Sequence, residues 1–394
     1  MITRRRSLAM TLGAVTAMVA RRAPTAPAPL VSLNALAKKK GMRFGSTVSD
    51  GITGSFNDPN YARLVYTECG LVVPETELKW RAVRPDSHTF DFRHFDHILE
   101  QAEARGLAMR GHNLLWQRPK WMPAWVESYD FGARPASEAA RLLSTHISTI
   151  CSRYRGRILS YDVVNEAVLP EDGSLAQTAL SRAIGGTAVL LDLAFHTARD
   201  SARGAQLVYN DYMSWETGNE THRDGVLKLL EGFRRRNVPV DALGIQSHLK
   251  VEDRPQEKSW IKFMDDVAAL NYDILITEFD VNDRNLPADI GTRDRAVADY
   301  AGAYLDVMFR YPRLKDVLVW GMCDSSSWLQ HFKPLRADGQ AKRPCPYDAN
   351  FAPKPLRDTI AASFAAAPVI SNPSSLSEMP IFRLRDEPGV AARC

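Results

Sequence analysis

The stretch YDVVNEAV, residues 161–168, opens as a strand and closes on two polar side chains. Tyr161, Asp162, Val163 and Val164 read as a buried β-strand. Asn165 and Glu166 then arrive side by side, with the small apolar Ala167 behind them. Desolvating an unpaired carboxylate is costly, so Glu166 is either solvated at a loop edge or held there for chemistry. The fold around this strand decides between the two.

Similar segments recur along the chain. Short β-branched or apolar runs bounded by turn signals begin at Met42 (MRFGSTV), Leu71 (LVVPE), Ala108 (AMRGHNL), Ile158 (ILSYDVVNE), Gln206 (QLVYND), Ala242 (ALGIQSH), Asp273 (DILITEFDV) and Asp316 (DVLVWGM). Helical segments separate them. FRHFDHILEQAEARG sets Phe92, Phe95, Ile98, Leu99 and Ala102 on one helix face, and Gly106 stops it. ARLLSTHISTICSRY and RAVADYAGAYLDVMFRY read the same way. This alternation of strand and helix predicts a (β/α)8 TIM barrel in a single α/β catalytic domain. A doubly wound open sheet is the alternative. It wants a Gly-rich phosphate loop after its first strand, and none follows residues 42–48.

The two ends differ from this pattern. TRRRSLAM, an apolar run from Leu8 to Val19 and RRAPTAPAPL read as an export signal and Ala/Pro linker over residues 1–30. Arg4 and Arg5 resemble a twin-arginine signal, and an uncleaved anchor is the alternative. The expectation is an exported protein, periplasmic or extracellular, that is monomeric and off the membrane once the signal is removed. The barrel is expected over 36–365, and the Ser/Pro-rich residues 366–394 as a poorly ordered extension. The formal charge of +4 falls to about −1 without Arg4, Arg5, Arg6, Arg21 and Arg22, which leaves no basic tract for nucleic acid. The five cysteines are odd in number and include no C-x-x-C pair, although Cys323 with Cys345 is conceivable as a disulfide.

In a barrel of this kind the site is built where strands end. Those ends carry Pro74 and Glu75 with Lys79 and Trp80 following, His112 and Asn113, Asn165 and Glu166, and Asn210 and Asp211. They continue with Gln246 and His248, Glu278 and Asp280, and Trp320 with Asp324 and Trp328 beyond. Single polar strand ends are usually structural caps, but here most strands deliver such groups to one rim. Glu278 and Asp280 are two apart and share a face, as do Gln246 and His248, so His248 can reach Glu278 with Asp280 orienting it. Carboxylates on different strands together with indoles at Trp116, Trp320 and Trp328 suggest glycoside hydrolysis. HFDH, with His94 and His97, could suggest a metal site, but its place in an amphipathic helix favours a solvated face.

The motifs PETELKW from Pro74, GHNLLWQ from Gly111, YDVVNEA from Tyr161, YNDY from Tyr209, GIQSHL from Gly244, ITEFDV from Ile276 and WGMCDSSSW from Trp320 resemble glycoside hydrolase family 10 in order and spacing. That family comprises retaining endo-β-1,4-xylanases on a (β/α)8 barrel. The resemblance implies that Glu166 is the general acid/base and Glu278 the nucleophile. Asn165 would bond the sugar 2-hydroxyl, His248 and Asp280 would hold Glu278, and Gln246 would lie near Glu166. It further implies that Glu75, Lys79, His112 and Trp116 bind the non-reducing side of the cut. Trp320 and Trp328 would lie beneath and beside the sugar, and Tyr209 on the leaving-group side. No metal or organic cofactor is implied, and the partner would be β-1,4-xylan or xylo-oligosaccharides.

The chain departs from the family where Thr76 replaces Asn, Gln117 replaces His and Tyr161 stands where Trp is common; QRPKWMPAWV is also slightly longer than usual. These departures keep open a related β-glycosidase acting on short xylo-oligosaccharides or another β-1,4-glycan. A non-catalytic glycan-binding barrel is the third reading, and the retained carboxylate pair argues against it.

Overall fold

The computed structural model describes residues 30–51 and 54–369. The chain divides into Met1–Val31 and Ser32–Cys394, and the barrel lies wholly in the second unit. The expected export signal, up to residue 29, and the expected tail beyond residue 369 lie outside the described residues.

The strands are β1 (Arg43–Val48), β2 (Leu71–Pro74), β3 (Ala108–Trp116), β4 (Ser160–Asn165), β5 (Gln206–Asp211), β6 (Ala242–Ile245), β7 (His248–Lys250), β8 (Asp273–Asn282) and β9 (Leu314–Val319). All pair in parallel, and β1 against β9 together with β6 against β8 closes an eight-stranded barrel. The short β7 is the upper continuation of β6, paired only with the far half of β8, His248 opposite Asp280.

Inside the barrel, Leu71, Val73, Leu318 and Trp320 form one apolar layer and Val208, Ala242 and Leu275 another. Outside, helix stripes cover the sheet. In the helix Arg93–Ala104, Phe95, Ile98, Leu99 and Ala102 are buried, and Gly106 follows at φ +68° to end it. Phe92 stands just ahead of that helix rather than on its buried stripe.

Several boundaries differ from expectation. The predicted third strand continues to Trp116, past an irregularity between His112 and Leu115, so His112 lies within the strand and not at its end. The predicted sixth strand is broken in two, with Ser247 at φ +61°. The domain also starts earlier and ends later than 36–365. The helix Leu33–Lys38 buries Leu33, and the Asn34 side-chain oxygen accepts the Phe44 N–H at 3.1 Å. The last helix, Pro355–Ala366, sets Phe364 edge-on to Phe44, and Lys40 donates to the Ala367 carbonyl at 2.6 Å. Cys323 and Cys345 are buried free thiols, so the conceivable disulfide is absent.

Close strand approach constrains β1. A Cβ on Gly45 would lie 2.3 Å from the Leu71 carbonyl oxygen, backbone that cannot swing aside. Gly45→Ala is expected to destabilise the barrel by about 1–3 kcal/mol, read as a lower urea midpoint at unchanged slope. An unchanged midpoint would mean that β1 and β2 have room to separate.

Candidate active site

The polar strand ends converge on two carboxylates, Glu278 of β8 and Glu166 just past β4. Period two alone would send only one of two consecutive residues to a common side. The backbone breaks that rule twice. The β8–β9 register shifts between Ile276 and Phe279, so Thr277 and Glu278 both contact the same amide. After β4, Glu166 adopts φ +55°, a left-handed conformation uncommon outside glycine, which brings its carboxylate beside Asn165.

Glu278 is almost wholly buried. Its Oε1 accepts the Asn210 amide at 2.8 Å, and its Oε2 faces His248 Nε2 at 3.3 Å. The other nitrogen of His248 meets Asp280 at 3.0 Å, and Asp280 also accepts the Trp328 indole N–H at 2.7 Å. His112 lies 4.0 Å from Glu278 and is anchored through Nδ1 to Asp162 at 2.9 Å. Asp162 in turn pairs with Arg110 in the barrel interior, both fully buried. Burial alone would push the Glu278 carboxyl up. The hydrogen bond from His248 and the positive charges of His112, His248 and Lys79 outweigh burial and hold it well below the usual carboxylate range. Burial likewise opposes the charged form of His248, but Asp280 and Glu278 raise its pKa overall.

Glu166 lies in the opposite field. Burial is the leading cause that pushes its carboxyl up, and the charges of Asp211 and Glu278 add to it. The Gln246 amide, donating to Oε1 at 2.9 Å, pulls the other way. The Trp116 indole N–H, which makes no full hydrogen bond, leans toward the same carboxylate.

Asn210 links the two halves. Its Nδ2 donates both to Glu278 and to the Asn165 side-chain oxygen, each at 2.8 Å, while its Oδ1 accepts the Thr277 hydroxyl at 2.7 Å. Thr277 thereby fixes which end of the amide faces Glu278. Gly244 leaves the space: a Cβ there would lie 2.4 Å from Asn210 Oδ1. Asn210 stood at a strand end in the sequence, but its bridging role depends on three neighbouring strands.

Around this centre, Lys79 is buried with its ammonium 4.5 Å over the Trp116 ring. Burial lowers its pKa against the pull of Glu278, Glu75 and Glu166, so all three carboxylates share its field. Glu75 is half-buried at the end of β2. Trp320 is buried edge-on to His112, and Trp328 packs at 5.0 Å from His248.

Other expected residues lie elsewhere. Tyr209 is fully buried; its hydroxyl donates to Asp211 and accepts the Ala167 N–H at 3.2 Å, so it braces the turn behind Glu166. The other tyrosine of YNDY, Tyr212, is half-buried and bonded at 3.0 Å to Arg118. Gln117 is fully buried, donating to the Ala176 carbonyl at 3.0 Å, and Tyr161 packs against Gly111, so both departures are enclosed in packing. Asp324 pairs with Lys354 at 3.1 Å behind the rim. Trp80 is buried and stacked on His146 at 3.9 Å, a packing role. His94 and His97 are exposed, and both rings bond Asp50, at 2.8 and 3.0 Å. Glu77 was not anticipated: buried, it accepts the Ser49 hydroxyl and the N–H groups of Asp50, Gly51 and Thr76, pinning the loop after β1.

A buried amide network thus joins one carboxyl biased toward its protonated form to one held ionised, which equips the site for proton donation and for stabilising positive charge. Comparison with known proteins gives the same direction. Residues 32–363 match the family model described as Glycosyl hydrolase family 10. The chain is 30% identical over 331 residues to an endo-1,4-beta-xylanase of Agaricus bisporus, covering 84% of this chain and 93% of that one. It is 28% identical to endo-1,4-beta-xylanase 3 of Hypocrea jecorina, covering 84% of each. Among solved structures, xylanase 10B of Thermotoga maritima superposes with a TM-score of 0.76 at 26% identity, covering 85% of this chain and 98% of that one. Xylanase 10B of Thermotoga petrophila, solved with xylobiose, gives 0.76 at 25% identity, covering 86% and 98%.

Two variants test this network. Thr277→Val frees the Asn210 amide to turn and is expected to cost about 1–2 kcal/mol, or about five- to thirtyfold in kcat. Wild-type kcat would show that Asn210 is oriented without it. Gln246→Leu removes a donor that favours ionised Glu166, so the pKa of Glu166 rises further. The alkaline limb of the kcat/KM profile should move to higher pH, and movement to lower pH would contradict Glu166 as its origin.

Proposed function

The chain belongs to glycosyl hydrolase family 10, and from that premise we propose an endo-β-1,4-xylanase in which Glu166 is the acid/base and Glu278 the nucleophile. The observation that carries the role assignment is the opposed bias on the two carboxyls. Glu278 is held ionised by His248, His112 and Lys79, while burial, Asp211 and Glu278 itself push the Glu166 carboxyl up, toward its protonated form.

The chemistry follows the retaining scheme general to the family. A Glu278 oxygen attacks the anomeric carbon as the glycosidic C–O bond breaks, and the Glu166 proton passes to the leaving oxygen. Esterified Glu278 no longer carries charge, which removes one of the causes raising Glu166. Glu166 then takes a proton from water as that water attacks the glycosyl ester. Release of the sugar returns the Glu278 carboxylate. Asn165, whose side-chain oxygen accepts from Asn210, bonds the 2-hydroxyl of the reacting sugar. His248 and Asp280 position Glu278, and Gln246 positions Glu166. Glu75, Lys79, His112 and Trp116 bind the non-reducing side, with Trp320 below and Trp328 beside the ring. On the leaving-group side the half-buried Tyr212 takes the place first given to Tyr209. Xylan and xylo-oligosaccharides are the substrates, and Arg4–Arg5 followed by the apolar run supports export.

Proton NMR of products from an aryl β-xylobioside should show the β-anomer first; the α-anomer first would make Glu278 a base. Glu278→Gln is expected to lose turnover while still binding xylo-oligosaccharide. Normal turnover by that variant would end the nucleophile assignment.

A further inference from the structure

The loop after β3 carries an arrangement that the neutral xylose backbone does not use. Trp121 stacks on Trp116, centroids 4.6 Å apart and planes 16° from parallel, so the aromatic surface beside Glu166 continues outward. Two cations lie on Trp121: the Arg81 guanidinium at 5.3 Å and the Lys120 ammonium at 4.7 Å from its centroid. Both residues are exposed. Among the described residues neither is paired with a carboxylate or held by a hydrogen bond.

Neighbouring basic groups differ. Arg84 is spent on the carbonyls of Leu142 and Ser87, Arg118 on Val168 and Tyr212, and Arg93 and Arg141 on Asp91 and Glu138. Two like charges sharing one ring repel, and an exposed cation–π contact returns only about 0.5–1 kcal/mol each. A carboxylate between them would be met by a planar fork and a point charge, the pairing that Arg and Lys make best. Lys120 sits in the loop after β3, and Arg81 in the short helix Trp80–Val83 beside Lys79.

We propose that Arg81 and Lys120, both held on Trp121, form a subsite for a carboxylate-bearing branch on the xylan chain, a uronic acid substituent. The inference rests on the xylanase reading and narrows its substrate class to acidic xylans.

The test uses three oligosaccharides: xylotetraose, xylotetraose bearing one uronic acid branch, and the methyl ester of that branch, equal in shape but uncharged. At low ionic strength the acid should exceed its ester in kcat/KM by about fivefold or more, and the ratio should approach one in high salt. In Arg81→Gln/Lys120→Gln the ratio should be about one at all salt concentrations, and calorimetry on the Glu278→Gln background should show the same loss in binding. An acid-to-ester ratio of one in the wild type, with xylotetraose cleaved normally, would overturn the subsite and leave the xylanase reading standing. Failure to cleave xylotetraose at all would overturn the activity and the subsite with it.

Discussion

A carboxylate that is held ionised while almost wholly buried governs this molecule. Removing Glu278 from water opposes its charge, and everything packed around it answers that cost. His248 reaches one oxygen and Asn210 the other. Behind His248 stand Asp280 and then the Trp328 indole. Behind His112 stand Asp162 and Arg110, deep in the barrel. Each donor near Glu278 is itself held by an acceptor, so the donors cannot turn away. Charge alternates outward from Glu278, which lets a polar column replace the apolar layers found lower in the barrel.

Glu166 lies in the reverse environment a short distance away, built from the same parts. The Asn165–Asn210 amide pair touches both carboxylates, and the donors to Glu166 are neutral amides, Gln246 at 2.9 Å and Asn165 at 3.3 Å. Among the described residues no cation is bonded to it, whereas Asp211 adds negative charge nearby. Asp211 is in turn braced by Tyr209 and lies 3.1 Å from the buried His222. Tyr209 therefore acts on the site through Asp211 and Ala167 rather than through a sugar.

The loops around the site divide by what anchors them. Glu77 gathers four donors to hold the loop after β1 against the end of β2. His94 and His97 grip the same loop from outside through Asp50. The loop after β3 is fixed at Arg118, which bonds the Val168 carbonyl at 2.6 Å, while beyond it Lys120 remains free of any anion among the described residues. Rigid anchoring close to the carboxylates and loose cationic surface further out is the pattern expected where chemistry is shared and substrate preference varies.

Much of the fold was legible because burial on both faces forces strands into short apolar runs, and helix faces into three-four spacing. The gathering of Glu166, Glu278, His248 and Gln246 at one rim followed from that pattern, although Glu278 lies within β8 and His248 begins β7. The breaks did not. Nothing local in GIQSHL marks Ser247 as left-handed, and YNDY does not say which tyrosine sees solvent. Gln117 and Tyr161 looked like changes in specificity, but they point into packing because register, not motif position, sets facing. The sequence by itself determined the barrel, its order and the set of polar groups at its rim, since hydrophobic periodicity is a local property. Only the tertiary structure decided that Asn210 joins the two carboxylates, that Tyr209 is buried while Tyr212 is half-buried, and that burial raises Glu166 while cations lower Glu278. Those outcomes depend on distances between strands far apart in the chain.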